Sequence, residues 1–279
     1  MYAQIAVTSR TFGSKFQGLM YAQVRKLLPP GFTIVECLMP ESDPSPDDQH
    51  ARLMKLIEGS SRPVALLSLC LVPPHYTVTA YAEAGVPVII LDNEVPGASI
   101  ITSDNVKGGA LAAQHLLQRG RRTLGVIYGG PRARKHYNAE QRLLGFEREL
   151  LEGGVTLAPE AIVDAPEYSR KDGADAFSRL LRLGGKIDGV LCAAGDACAI
   201  GFQAEARTRG VNIPERIAVV GYDDSPLAGI AQPPLTTLRQ PIDVMAQHAV
   251  RLATAEREAI VKKPVRLLVD PVLVVRAST

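Results

Sequence analysis

The sequence predicts an α/β protein made of two similar units, each a parallel sheet covered by helices. Three observations predict it. Short runs rich in Val, Ile and Leu recur along the chain, as strands buried on both faces of a parallel sheet require. Between them lie amphipathic stretches with helical spacing, the alternation from which crossover units are built. The third is length: 279 residues with 46% apolar content exceed one comfortable hydrophobic core.

Taken in order, strands are expected at 4–8, 32–38, 64–69, 86–91, 123–128, 161–164, 188–193 and 217–222. Helices are expected at 15–28, 47–58, 106–118, 139–151, 170–183 and 197–209. Gly31, Gly85, Gly120, Gly185 and Gly210 fall just past expected helices and before strands, where a left-handed residue closes the last helical turn. About four strands precede Val106 and four follow Gly120, which divides the chain into two sheets of similar size. Open sheets of this kind bind ligands outside the carboxyl ends of their strands. A cleft lined by strand-end loops of both halves is therefore expected to close around a small polar ligand.

Composition narrows the function. Thirty-one Lys and Arg against 29 Asp and Glu leave a formal charge of +2, far from the positive field of a free-standing nucleic-acid binder. No run of 18 apolar residues occurs, and the first apolar segment, 3–8, is too short for a signal-peptide core, so a cytoplasmic protein without a membrane partner is expected. Cys37, Cys70, Cys192 and Cys198 are scattered in a way that fits no thiolate metal knuckle or redox dithiol, and their use as free thiols points to a reducing compartment. No dinucleotide fingerprint, Walker loop, nucleophile elbow or His-Glu-x-x-His helix is present. No catalytic residues, cofactor or metal are expected. A phosphoacceptor role for Asp223 fails as well, because the companion acids it needs after the first strand are replaced by Ser9 and Arg10.

The stretch Val219-Val-Gly-Tyr-Asp-Asp-Ser-Pro-Leu-Ala, followed by Pro233-Pro-Leu-Thr-Thr-Leu-Arg-Gln-Pro-Ile and Met245, resembles the effector-binding domain of LacI/GalR-type transcriptional regulators. Further matches run in order along the whole chain: Gly85-Val-Pro-Val-Ile-Ile-Leu-Asp, Asp104-Asn with Gly108-Gly, His115-Leu-Leu with Gly120-Arg-Arg, Arg142-Leu-Leu-Gly-Phe, Asp188-Gly-Val-Leu, Gly210-Val-Asn-Ile-Pro and Val275-Arg-Ala-Ser-Thr. The resemblance implies a periplasmic binding protein type I fold, two Rossmann-like subdomains joined by three crossovers. It implies an N-terminal subdomain of residues 1–119 plus 241–262 and a C-terminal one of 120–240 plus 263–279. A small-molecule effector such as a sugar, a homodimer, and operator DNA reached through a helix-turn-helix headpiece are the implied partners. That headpiece is not part of this sequence. A transport-type sugar-binding protein and a headless sensor acting on a protein partner are the alternatives.

Eight residues are candidate ligand contacts. Asp223 follows an apolar strand and emerges at the sheet edge, where a carboxylate accepts two hydroxyls of a polyol; the alternative is a turn or helix cap. Arg142 offers a rigid guanidinium fork near the start of a helix, unless it is a surface residue paired with Glu140 or Glu147. Tyr168 matches the place where family members set a ring against the effector, and a flat apolar face suits the C–H side of a sugar; surface packing is its alternative. Arg10, Phe12 and Phe16 surround the first strand-end loop, ahead of a helix N-terminus, with core packing as the alternative for the two rings. Asp196 and Asp104 each either reach the ligand or cap the following helix. Asp196 is preceded by Gly195, where the family pattern has Asn. His136 and Tyr137 read as a solvated loop pair.

Overall fold

In the computed structural model, which describes residues 2–12, 16–39, 45–59, 61–134, 137–183 and 186–279, the chain forms two units. Unit 1 comprises residues 1–103 and 241–269; unit 2 comprises 104–240 and 270–279, so the chain passes between units three times.

Unit 1 begins β1 (Ala3–Ser9), α1 (Phe16–Leu27), β2 (Phe32–Leu38), α2 (Pro46–Glu58), β3 (Ala65–Leu69), α3 (His75–Glu83), β4 (Val88–Leu91) and β5 (Ser99–Ser103). Unit 2 follows with α4 (Asn105–Gln118), β6 (Leu124–Gly129), α5 (Tyr137–Glu152), β7 (Ile162–Ala165), α6 (Arg170–Leu181), β8 (Gly189–Cys192), α7 (Asp196–Thr208), β9 (Ala218–Asp223) and β10 (Thr236–Arg239). The chain then returns to unit 1 for α8 (Ile242–Ala253), α9 (Arg257–Lys262) and β11 (Arg266–Val269), and ends in unit 2 with β12 (Val272–Val274).

Unit 1 holds a parallel sheet in the order β11-β5-β4-β3-β1-β2. Unit 2 repeats the plan as β12-β10-β9-β8-β6-β7, parallel except for β12, which runs antiparallel to β10. Because side chains alternate along a strand, each sheet builds a core on both faces. In unit 1, Ile5 and Val7 pack with α1 and α8, while Ala6 packs with α2 and α3. In unit 2, Val126 and Tyr128 pack with α4 and α5, while Ile127 packs with α6 and α7.

Local signals explain the helix starts. Ser45 caps α2, with Pro46 in its first turn; Asp104 caps α4; Ser169 and Asp172 form a reciprocal capping box at α6. Gly120, after α4, adopts φ +79°, the left-handed C-cap that its position predicts. Helix pairs in unit 2 approach closely at glycines: a Cβ on Gly145 of α5 would fall onto the Val106 carbonyl oxygen of α4, and one on Gly109 onto that of Arg142.

The eight expected strands are present, shifted by a residue or two at their ends; the 86–91 strand starts at Val88, after Pro87. Four further strands, β5, β10, β11 and β12, and the helices α3, α8 and α9 add to the expected set. The expected subdomain boundaries also move. Helix α4 packs on α5 and so belongs to unit 2, which puts the first passage after Ser103 instead of residue 119. Strand β11 pairs with β5, which extends unit 1 to Val269. Gly185 and His136 lie outside the described residues.

Candidate functional site

The motif around Asp223 lies at the C-terminal end of β9, near the middle of the unit 2 sheet, and each of its residues has a separate physical task. Gly221 has no side chain because a Cβ there would meet the Asp196 carboxylate and Leu235. Tyr222 is fully buried on the opposite face; its ring carries the Arg142 guanidinium, with Cζ 3.6 Å from the centroid, and its hydroxyl donates to Asn105 Oδ1 at 3.3 Å. Gly108 makes room for that hydroxyl. Asp223 itself takes φ +106°, uncommon for a residue with a side chain, at the point where the strand ends. Asp224 accepts from Arg239 Nε at 2.6 Å and from Arg276 Nη2 at 2.7 Å.

The Thr-Thr-Leu-Arg-Gln segment and the chain end complete this edge. Thr236 N donates to Ser278 Oγ at 2.8 Å, and Ser278 Oγ in turn donates to Val219 O at 2.6 Å, which sews the chain end to β9 and β10. Thr237 Oγ1 donates to Asp196 Oδ1 at 2.6 Å. Gln240 Nε2 donates to Asp223 Oδ1 at 2.6 Å.

Arg142 is 6% exposed, so the surface alternative does not apply. Its Nε donates to Asn105 Oδ1 at 2.8 Å and its Nη1 to Ala193 O at 2.9 Å, the latter just beyond β8. It also faces Asp223. Burial pushes the Asp223 carboxyl above the ordinary carboxylate range, while Arg142 and the Gln240 hydrogen bond act against that rise. Tyr168, at φ +53° and 41% exposed, precedes the α6 capping box; a Cβ on Gly129 would lie 2.6 Å from its ring and 3.3 Å from Ala194 Cα. A Cβ on the residue after Ala194, Gly195, would lie 2.9 Å from Asp223 Oδ2. Tyr168, Gly129, Ala194, Gly195 and Asp223 thus form a continuous row along the strand ends of unit 2, with Arg142 beside it.

The other candidates take different places. Asp196 is 2% exposed beneath this row, with both oxygens used: Oδ1 accepts from Thr237 and Oδ2 from Ser225 N at 2.6 Å. It is a buried buttress of this edge, and α7 has no side-chain cap. Desolvation, then the neighbouring Asp223 charge, push its carboxyl up to about 7. Asp104 accepts from Lys107 N at 2.9 Å, which matches the capping alternative. In unit 1, Phe12 stacks on Tyr21 at 4.3 Å, and both Phe12 and Phe16 pack against the α1–α8 core, as their core alternative had it. Arg10 is exposed at the end of β1. Unit 1 also places two left-handed residues at strand ends that sequence reasoning did not single out: Cys70 after β3 and Asp92 after β4. The Cys70 thiol donates to Asp92 Oδ2 at 3.8 Å. Asn105, Tyr222 and Gln240 are the members of the unit 2 edge that were also missed as candidates, although all three stand inside or beside the quoted motifs.

Among the described residues, no group of three or more His, Cys, Asp or Glu side chains is arranged to hold a metal, and no helix is long and apolar enough to cross a membrane. Two doubly covered α/β units joined by three passages, with polar side chains gathered at strand ends, define a protein of the periplasmic binding protein type I class. Residues 113–279 match the model of the periplasmic binding protein-like domain. The chain belongs to that family, as the effector-binding domain of LacI/GalR-type transcriptional regulators. It is 32% identical over 198 residues to the HTH-type transcriptional regulator CelR of Thermobifida fusca, a match covering 71% of this chain and 56% of the relative. It is 30% identical over 210 residues to DegA, an HTH-type transcriptional regulator of Bacillus subtilis (strain 168), covering 74% and 60%. The matches thus span under two thirds of these relatives' own lengths. A solved CelR–cellobiose complex superposes with a TM-score of 0.83 at 26% identity, covering 99% of this chain and 84% of the other.

Proposed function

We propose that this chain is the ligand-sensing core of a cytoplasmic, dimeric LacI-type regulator, and that it binds a small polyhydroxylated metabolite, a sugar or a close relative. The observation that carries this reading is the Asp223 carboxylate: it ends β9 at a left-handed φ, is held by Gln240, and faces a buried Arg142. A carboxylate fixed in this way accepts paired hydroxyls without reorganising, and the partly exposed Tyr168 ring further along the row offers an apolar face for sugar C–H groups. The cellobiose held by the CelR structure supports a sugar-class ligand. Arg10, exposed after β1, is a further proposed ligand contact. Occupancy shifts the population of a conformation that changes operator affinity through a helix-turn-helix headpiece, in proportion to the ligand's preference for that conformation.

The test is a thermal-shift screen against cellobiose, monosaccharides, polyols, purines and amino acids, because a ligand selective for the folded state raises Tm by mass action. A concentration-dependent rise with one sugar class, lost in Asp223→Ala, is the expected result. A rise that survives Asp223→Ala removes the unit 2 edge as the site. Coupling is checked by the operator affinity of the native gene product with and without that ligand, and the dimer by sedimentation.

A further inference from the structure

The mechanism just proposed uses Asp223 and leaves Asp196 unexplained. An acid that is 2% exposed and feels the charge of a second carboxylate is costly to keep ionised. The groups around it can be enumerated. From β9 comes Asp223, and from the loop after it the Ser225 N–H; from β10 comes the Thr237 hydroxyl; from the end of β8 comes the Cys192 thiol. From α5, Arg142 faces Asp223, and from the end of β10 Gln240 donates to it. The cations Arg239 and Arg276 are engaged by Asp224. Arg142 therefore opposes the charge of Asp223, whereas the groups named around Asp196 are neutral ones and a second acid. Gly195, with φ +100°, directly precedes Asp196, and any side chain there would press on Asp223 Oδ2.

Resting on the proposed ligand edge, we infer that the Asp196–Asp223 carboxyl pair makes ligand binding proton-linked, with one proton shared between the two acids at neutral pH. With the proton on Asp196, Asp223 is ionised and accepts ligand hydroxyls. The Thr237 hydroxyl can turn to accept from a protonated Asp196, while the other Asp196 oxygen keeps the Ser225 N–H. When the proton leaves, a ligand that excludes water from Asp223 must do so beside a second buried negative charge, and affinity falls. Binding in the neutral range therefore takes up a proton, and the pair titrates as a unit. If ligand raises the pair's proton affinity by one pKa unit, Kd rises by up to about tenfold from pH 6 to pH 8.5.

Two measurements test this on the intact chain. Carbon-13 NMR of the aspartate carboxyl groups, without ligand, reads the pair directly: Asp196 is expected to titrate near neutral pH and to move down in Asp223→Asn. Titration of Asp196 in the ordinary carboxylate range overturns the inference, whatever the ligand. Calorimetry with cellobiose at pH 6, 7 and 8.5, in phosphate and in Tris, reads the linkage. Proton uptake near pH 7 to 8, with a pH slope that flattens in Asp196→Asn, supports it; a pH-independent Kd in wild type overturns it. No heat with cellobiose at any pH, alongside a neutral NMR titration, counts against the sugar reading and leaves the shared proton supported.

Discussion

Replacing Arg142 by methionine keeps an unbranched side chain in the same space and removes the guanidinium, which makes it a measure of what that charge does. Three interactions disappear: the Nε bond to Asn105 Oδ1 at 2.8 Å, the Nη1 bond to Ala193 O at 2.9 Å, and the stack 3.6 Å over the Tyr222 ring. Their gross worth is offset by no longer having to desolvate a guanidinium that is 6% exposed. What is not offset is the effect on Asp223, which loses the cation that opposes the rise of its pKa. Breaking a buried pair from one side costs about 3 to 5 kcal/mol, and the lower end applies because Asp223 is only partly buried. Adding Asp223→Asn removes the stranded charge, so the double variant is expected to be more stable than the sum of the two single effects by about 2 kcal/mol. Urea denaturation at pH 7.5, with a common m-value, supplies all four corners of the cycle. A cost of less than about 1 kcal/mol for Arg142→Met, or strict additivity in the cycle, would refute the claim that Arg142 is the countercharge of Asp223.

Three further outcomes are expected. In Gly145→Ala the new Cβ falls onto the Val106 carbonyl oxygen, so α4 and α5 must separate; a loss of at least about 1 to 3 kcal/mol, with a lowered Tm by circular dichroism, follows from overpacking. Asp196 has a folded pKa raised to about 7, so its contribution to stability is fully present below the ordinary carboxylate value and is lost as pH rises through 7. Relative to Asp196→Asn, the wild type should therefore lose about 2 to 3 kcal/mol between pH 5 and pH 9, and chemical denaturation showing a constant difference would contradict this. Tyr168→Ala, at a position 41% exposed, is expected to change stability by about 0.5 kcal/mol or less while weakening sugar binding several-fold by calorimetry.

The parts of the fold that were legible are those whose physics is local. Runs such as 65–69 and 124–129 are buried throughout, and a buried parallel strand has no other way to read than as a continuous apolar stretch. The strands that escaped notice are short and mixed. Strand β11 is four residues beginning with Arg266, β12 is three, and the Thr-Thr of β10 drew attention as a motif instead of as a strand. Their pairing is set by contacts distant in sequence, as with Arg266↔Ile100, which no window on the chain displays. The same distance hid the assignment of α4 to unit 2, since the glycines that let it approach α5 signal closeness without naming the partner.

The candidate site divides on a similar line. Asp223 was legible because it is polar and follows an apolar strand. The burial of Arg142 was not, because an arginine near a helix start reads as a surface residue until Tyr222 and Asn105 are brought to it from elsewhere in the chain. Nor could the sequence separate Asp196 from Asp223 in role, although one is a buttress and the other stands in the row. That separation carries a consequence. Of the residues in the Gly-Tyr-Asp-Asp, Thr-Thr-Leu-Arg-Gln and terminal Arg-Ala-Ser-Thr segments, Gly221, Tyr222, Asp224, Thr236, Thr237, Arg239, Arg276 and Ser278 all make room for, carry or tie down other parts of the same edge. Asp223 is the carboxylate that they hold at the end of β9. Sharing these segments with a regulator that binds a given sugar therefore supports a shared way of holding one carboxylate, and supports a shared ligand much less. On the proposed function, ligand choice rests with residues outside them, Tyr168 and Arg10, and substitutions there should change which sugar binds while leaving the fold of the edge intact.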